Sequence, residues 1–194
     1  DINWTCLANS RCYTGGYFNS DDCTQVQDRI QSVNANFKMD TEKFQSLINQ
    51  IFTQHGFSLT NSQVSLFTIY WENLKLWNSK INLTSIRDDH EIIMKHFLDS
   101  VAVLNYFVVQ ENDLVVDIGS GAGFPGIPIK ILRPNLDLTL VESVSKKASF
   151  LKFLKTRLEL ENTKIINLPT IWYSLIFYLF KKTYWKMPTT NYNC

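Results

Sequence analysis

Apolar residues between positions 39 and 105 recur at the spacing of amphipathic helices. The pattern predicts one helix from Met39, a second that starts with the capping-box sequence Thr60 to Gln63 and runs to about Asn78, and a third from Asp88 or Asp89. Each predicted helix buries one apolar stripe. The stripes are Phe44, Leu47, Ile48, Ile51 and Phe52; Phe67, Tyr70, Leu74 and Trp77; and Ile93, Phe97, Val101 and Leu104. Three such helices in a row predict a small α-helical layer.

The apolar period changes near residue 113, where continuous apolar runs replace the helical stripes. Runs of this kind are typical of strands that are buried on both faces of a parallel sheet. The predicted strands are Leu114 to Ile118, Leu136 to Val141 and Lys164 to Leu168, and the predicted helices between them are Pro125 to Leu132 and Lys146 to about Leu160. This alternation predicts one half of a doubly wound α/β sheet.

The composition limits what the chain can be. Its 194 residues are 45% hydrophobic, enough for one sizeable core and a small additional domain. Nineteen basic and eighteen acidic residues leave a net charge of +1, so any surface for nucleic acid must be local. The four cysteines form no C-x-x-C pair and no segment resembles a signal peptide, which predicts a cytoplasmic protein without a metal site. Residues 1–38 are polar, lack an apolar period and are predicted to be a non-native or disordered tail.

The segment VVDIGSGAGFPGIP, Val115 to Pro128, contains four of the seven glycines of the chain. A glycine-rich turn between a first strand and its helix lets a nucleoside cofactor approach the backbone, although such a turn can also be purely structural. An NAD-binding loop would carry G-x-G-x-x-G, whose third glycine would fall at position 124, where this chain has phenylalanine. An NAD-dependent oxidoreductase is therefore the less favoured alternative.

The spacing Asp117, Gly119, Gly121, Gly123 resembles the first motif of class I S-adenosylmethionine-dependent methyltransferases. A carboxylate at the end of the first strand can favour the sulfonium and ammonium charges of S-adenosylmethionine, or it can simply cap a helix. Glu142 follows the second strand and is predicted to accept the two ribose hydroxyls. The predicted fold is accordingly an incomplete Rossmann-like methyltransferase sheet preceded by the helical layer.

Three further segments sharpen the resemblance. NLTSIRD from Asn82, KHFLDS from Lys95 and DIGSGAGFPGIPIKILRP from Asp117 are similar, in this order and spacing, to the RsmG (GidB) family. That family methylates N7 of a guanine in 16S ribosomal RNA with S-adenosylmethionine as cofactor. The resemblance implies cofactor contacts at Gly119 and Phe124, with Gly121 and Gly123 in the same loop. It also implies a monomer that acts on 16S ribosomal RNA or the small ribosomal subunit, without membrane attachment.

The same resemblance defines the expected chemistry. The guanine N7 lone pair is nucleophilic in the neutral base, so no residue is predicted to act as a catalytic base and positioning carries the reaction. His90 and His96 are interpreted as a surface residue and as a packed or RNA-facing residue. Arg87 and Lys95 are predicted to contact RNA phosphates because both lie within the family-like segments.

Residues 169–194 depart from the family. This segment has no Asp, Glu or Gly and is crowded with aromatic residues, which suggests a truncated gene or a shifted reading frame. A membrane helix is disfavoured because the apolar run is about sixteen residues long, short of the ~20 that span a bilayer. The predicted divisions are therefore 1–38, a helical layer at 39–110, half of a methyltransferase domain at 111–168, and this tail. A non-catalytic remnant that binds RNA or a partner remains the alternative function.

Overall fold

The computed structural model describes residues 40–110 and 112–169. The chain divides into two compact units, Asp1–Ser46 and Leu47–Cys194. In the first unit the described residues, 40–46, are helical. The predictions for residues 1–38 and for nearly all of the aromatic tail lie outside the described residues.

The described elements follow the predicted order of helices and then alternating strands and helices. A helix labelled α3 is continuous but changes type, with α-helical Asp89–Ile92, π-helical Ile93–Leu98, α-helical Asp99–Ala102 and a final 3₁₀ turn at Val103–Asn105. The other elements are α1 (40–54), α2 (Asn61–Asn78), β1 (Leu114–Ile118), α4 (Gly126–Leu132), β2 (Asp137–Glu142), α5 (Ser145–Arg157) and β3 (Thr163–Asn167). Within these ranges no helix is both long enough and apolar enough to cross a bilayer.

Side-chain caps fix where α2 and α3 begin. The Thr60 side chain accepts a hydrogen bond from the Gln63 amide while the Gln63 side chain accepts one from the Thr60 amide, so the predicted capping box is confirmed. Asp88 caps α3 by accepting from the Glu91 amide at 2.9 Å. Because a polar side chain satisfies a free amide in the first turn of each helix, both helix starts could be predicted from the sequence.

Aromatic rings form the core of the helical part. The Phe67 ring lies 5.4 Å from Phe52 and 5.1 Å from Phe97, measured between centroids, and Tyr70 is also 5.1 Å from Phe97. These rings are completely buried, as the stripes predicted. Leu47, Trp77 and Leu104 were predicted to be buried but are only half-buried, and Leu104 lies in the 3₁₀ turn that ends α3.

The strands form one parallel sheet in the order β1, β2, β3. The structure confirms the predicted α/β fold class and all three strands, with β2 and β3 each displaced by one residue from the predicted bounds. The prediction that the strands are buried on both faces holds only for most of β2. β1 and β3 lie at the edges of the described sheet and leave Leu114, Ile118 and Ile166 exposed. Inward-facing residues of β2 and α5 supply the core of this half, since Leu138, Leu140, Phe150, Leu151 and Leu154 are each exposed by 1% or less. Both parallel pairings align the carboxyl ends of the strands, so the loops that follow β1 and β2 emerge side by side.

Lys130 stabilises the turn between α4 and β2. The residue is 2% exposed, and its ammonium donates to the carbonyl of Pro134 at 2.7 Å and to the carbonyl of Leu136. Burial lowers the pKa of Lys130, opposed by the nearby carboxylates of Asp137 and Glu161. The two acceptors lie in the turn between α4 and β2, so this one side chain holds the turn against the helix.

We expect Lys130→Met to lower the free energy of unfolding by about 2 kcal/mol, because two carbonyls lose their donor while the aliphatic packing is kept. Urea unfolding followed by circular dichroism measures the change. Lys152→Met, an exposed position on α5, is the matched control and should change stability by less than about 0.5 kcal/mol. Equal effects of the two variants would contradict the role given to the Lys130 contacts.

Candidate functional site

The glycine-rich segment forms a tight loop between β1 and α4. The amides of Gly119 and Ser120 donate to the Val141 carbonyl at 2.8 and 3.2 Å, which ties the start of the loop to the end of β2. The amides of Gly123 and Phe124 both donate to the Ser120 carbonyl, at 2.7 and 3.1 Å, and close the turn. The loop therefore lies at the carboxyl edge of the sheet, where open parallel sheets bind ligands.

Three of its glycines adopt left-handed backbone angles, with φ of 80° at Gly119, 59° at Gly121 and 102° at Gly123. A side chain at Gly119 would meet no atom within 4 Å, and one at Gly121 would meet only the Gly119 carbonyl at 3.8 Å. These two glycines face open space. Their backbone can be approached closely by a ligand, which is what the glycine spacing predicted.

Gly123 and Gly126 serve packing instead. A Cβ at Gly123 would come within 2.6 Å of the Ile127 side chain and 2.9 Å of the Tyr70 hydroxyl. At Gly126 it would come within 2.6 Å of Leu140. The four glycines thus divide into a pair that leaves room above the loop and a pair that lets the loop and α4 pack closely against their neighbours.

Glu142 joins the loops that follow β1 and β2. One carboxylate oxygen accepts from the Gly121 amide at 2.7 Å and the other accepts from the Val144 amide at 2.7 Å. The residue is 4% exposed, and because the Ser143 hydroxyl also donates to Oε1, at 3.4 Å, Oε2 is the oxygen that retains a second acceptor position. The predicted site acid therefore lies directly against Gly121, one of the two glycines that face open space.

Asp117 lies under the loop and contacts the start of α4. Its carboxylate accepts from the Gly126 amide at 3.1 Å and is 9% exposed. Burial raises the pKa of Asp117 to about 6, the Gly126 hydrogen bond opposes that shift, and the charge of Glu142 adds to it. This geometry matches the helix-capping alternative of the sequence analysis, so any effect of Asp117 on a ligand's charge would act from beneath the loop.

Phe124 lies in a stack of three rings. Its ring is parallel to Tyr70 at 5.3 Å and to His96 at 4.5 Å, with interplanar angles of 14° and 10°. Tyr70 comes from α2 and His96 from the π-helical part of α3. The half-buried Phe124 therefore connects the glycine loop to the helical layer.

The segments NLTSIRD and KHFLDS meet at His96. A hydrogen bond of 2.7 Å joins His96 Nε2 to the Thr84 hydroxyl, and Asn78 fixes the Thr84 backbone by accepting from its amide and donating to its carbonyl. Burial lowers the pKa of His96, which keeps the ring neutral at neutral pH. The two family-like segments thus contact each other at His96, and the His96 ring stacks on Phe124 of the loop.

Arg87 and Lys95 lie on the exposed surface of the same segments. Lys95 pairs with Glu91 at 2.5 Å one turn earlier in the helix, so part of its charge is neutralised. Within the described residues Arg87 makes no ion pair, which leaves its whole charge directed to solvent. Of the two residues predicted to contact RNA, Arg87 therefore presents the stronger local field.

Two residues that order these loops were not predicted as site residues. Tyr70 was interpreted as core, although its hydroxyl donates to the Ala122 carbonyl of the loop at 2.7 Å. Asn167, at the end of β3, donates to the carbonyl of Glu142 at 2.7 Å. A tyrosine in an otherwise apolar stripe was the available signal, since a buried phenol requires a hydrogen-bond partner.

Comparison with known proteins identifies the family. A family model described as GidB: rRNA small subunit methyltransferase G matches residues 63–169. The chain belongs to this family. The match spans α2, the two family-like segments, the glycine loop and β3, so the resemblance expected from the sequence is confirmed.

Individual relatives carry the same description. The ribosomal RNA small subunit methyltransferase G of Streptococcus pyogenes serotype M1 is 47% identical over 115 residues, which cover 59% of this chain and 48% of that protein. Those of Macrococcus caseolyticus and Staphylococcus saprophyticus are 43% and 42% identical over 120 residues and are each covered to 50%. The chain spans about half the length of the curated relatives it matches.

Among solved structures, coclaurine N-methyltransferase bound to N-methylheliamine and SAH is similar with a TM-score of 0.35 and 13% identity, over 66% of this chain and 45% of that one.

Within residues 40–110 and 112–169, no group of three or more His, Cys, Asp and Glu side chains could hold a metal ion.

The raised pKa of Asp117 predicts a pH dependence of stability. The carboxyl takes up a proton more readily when folded than when unfolded, so its contribution to folding is most favourable below pH 4 and is lost as the pH rises to about 6. Asp117→Asn removes this loss. We expect its stability relative to wild type to rise by about 2–3 kcal/mol between pH 4 and pH 8.

Urea unfolding at a series of pH values measures this difference. Glu159→Gln, which removes an exposed carboxylate just after α5, is the control and should leave a nearly flat difference. A flat difference for Asp117→Asn as well would show that its carboxyl is not desolvated in the folded chain.

Proposed function

We propose that the chain binds S-adenosylmethionine at the carboxyl edge of β1 and β2. The observation that carries this proposal is the open space above the left-handed Gly119 and Gly121, bordered by the carboxylate of Glu142. Substituents as small as a methyl group would begin to fill that space. A cradle that depends on missing side chains supports a ligand that contacts the backbone itself.

The residues present fit this cofactor. Oε2 of Glu142 has an acceptor position left for one ribose hydroxyl, beside the Gly121 amide, and the second hydroxyl would replace the 3.4 Å contact of Ser143 with Oε1. Gly119 and Gly121 leave their backbone open to the methionyl part, and Asp117 contributes negative charge from below. Phe124 is half-buried, so part of its ring remains available at the edge of the same space.

We further propose that the enzyme of which this chain forms a part methylates guanine N7 in the 16S RNA of the small ribosomal subunit. When bound, S-adenosylmethionine supplies a methyl group on a positively charged sulfur, and the N7 lone pair attacks it without prior loss of a proton. The stacked His96, whose Nε2 is already hydrogen-bonded to Thr84, agrees with a site in which residues position the reactants and no base acts.

RNA binding is assigned to the exposed face of the family-like segments. Arg87 is the main candidate for a phosphate contact, and Lys95 would exchange its Glu91 partner for phosphate. Because ribosomal RNA is a cytoplasmic substrate, we propose that the protein is cytoplasmic and not attached to a membrane. We also propose that it is a monomer.

Calorimetry with S-adenosylmethionine tests the cofactor site. We expect saturable binding by the chain and a loss of at least about tenfold in affinity for Gly121→Val, because a branched side chain would enter the space reserved for the ligand. Gly56→Val is the matched control. Gly56 also has a left-handed backbone, with φ of 83°, and also faces open space, but it lies after α1 and away from the loop.

The control separates strain from occlusion, since both substitutions force a branched residue into the left-handed region. Equal affinities for Gly121→Val and Gly56→Val would show that the loop is purely structural. Absence of saturable binding by the unmodified chain would favour the alternative, a non-catalytic module that binds RNA or a partner through its helical layer.

Transfer of a tritiated methyl group to small-subunit RNA tests the reaction. The chain spans about half the length of its relatives, so residues that complete the site in those proteins have no aligned counterpart here. We expect a chimera in which the streptococcal relative's C-terminal half replaces residues 170–194 to react at least about 100-fold faster than the chain alone, because imprecise positioning costs rates of that order. Equal rates would contradict the dependence on that half.

A further inference from the structure

The glycine loop is held from two sides. On the sheet side, Glu142 accepts from the Gly121 amide and Asp117 accepts from the Gly126 amide. On the opposite side, the contact comes from the helical layer, where the Tyr70 hydroxyl donates to the Ala122 carbonyl at 2.7 Å. Ala122 lies between the two points that Glu142 and Asp117 fix, so the Tyr70 contact falls on the part of the loop that the acids leave unsupported.

The environment makes this contact rigid. Tyr70 is completely buried, and burial together with the negative charge of Asp117 raises the pKa of its hydroxyl well above the ordinary value, so the group remains a donor. Its oxygen lies only 2.9 Å from where a Gly123 Cβ would be. Its ring is stacked on Phe124, and the His96 ring is also stacked on Phe124. The hydroxyl therefore has little freedom to move away from Ala122.

We propose that Tyr70 is a positioning residue for the cofactor site, holding the Ala122 carbonyl from α2 so that Gly119 and Gly121 keep the backbone path that leaves space for the ligand. The inference rests on the proposed function, because it assigns a residue to the same site. It gives the helical layer a part in cofactor binding, whereas the apolar stripe containing Tyr70 predicted only a core residue.

The expected effect follows from the chemistry of the contact. Removal of the hydroxyl leaves the Ala122 carbonyl buried without its donor, while the phenyl ring keeps its packing against Phe124 and Phe97. A buried carbonyl without a partner regains one by moving toward water, and here that movement would alter the loop beside Gly121. The loss is therefore expected in cofactor affinity as well as in stability.

The experiment compares Tyr70→Phe with Thr68→Val. Thr68 lies on the same helix, is also buried, and donates its hydroxyl to the Val64 carbonyl of its own helix at 2.7 Å. Each substitution removes one buried hydroxyl at nearly constant volume, but only Tyr70 contacts the loop. Calorimetry gives the S-adenosylmethionine affinity of both variants and of the unmodified chain, and urea unfolding gives their stabilities.

We expect Tyr70→Phe to weaken S-adenosylmethionine binding about 5- to 10-fold, the effect of one net hydrogen bond, and Thr68→Val to change it less than about twofold, because the Val64 carbonyl keeps its helical partner. Hydrogen exchange provides a second readout without cofactor. Exchange of the Gly123 and Phe124 amides should accelerate in Tyr70→Phe while that of β2 stays unchanged, and both measurements can be repeated at lower temperature if stability requires it.

Each outcome decides the matter. Equal affinities for Tyr70→Phe and Thr68→Val, or unchanged exchange of the loop amides, would show that Tyr70 is merely structural and would leave the proposed cofactor site intact. Absence of binding by the unmodified chain would instead overturn the proposed function, and this inference with it.

Discussion

The hydrogen bond from the Gly121 amide to the Glu142 carboxylate is the contact on which the rest of the site depends. Three left-handed glycines in five positions take the backbone out of the regular ladder, so the Gly119 amide still donates to Val141 of β2 but the Gly121 amide needs a side-chain acceptor. A carboxylate at the end of the next strand solves this problem. It also requires that β1 and β2 be parallel and in register, since only then does Glu142 end beside the loop.

The loop also explains why an acid is retained in a costly position. Asp117 is buried enough to raise its pKa to about 6, so its ionised form opposes folding near neutral pH. Its carboxylate fixes the first amide of α4, and Gly126 packs so closely against Leu140 that a side chain would not fit there. A neutral residue in place of Asp117 would avoid the cost of burying a charge.

Much of this was readable from the sequence, for identifiable reasons. β1 was predicted with its observed bounds because its apolar run ends abruptly at a polar and glycine-rich segment, and the start of α2 was predicted because its capping box is a local pattern. The orientation of individual side chains was harder to predict from the sequence. The spacing of Asp117 and Glu142 located two acids near a loop but could not distinguish a carboxylate that borders open space from one that caps a helix. Burial at the end of a stripe was also misjudged, since Leu104 lies in the 3₁₀ turn that ends α3 and is only half-buried.

Tyr70 shows why helices far from a motif can belong to its site. An apolar stripe reports only that a side chain is buried, whereas the end of the phenol determines what it binds once it is there. Here that end reaches the loop, and His96 reaches the same aromatic ring from α3 while bonding to Thr84. Arg87 lies three residues after Thr84. One hydrogen bond and one ring stack thus connect the segment that carries Arg87 to the glycine loop.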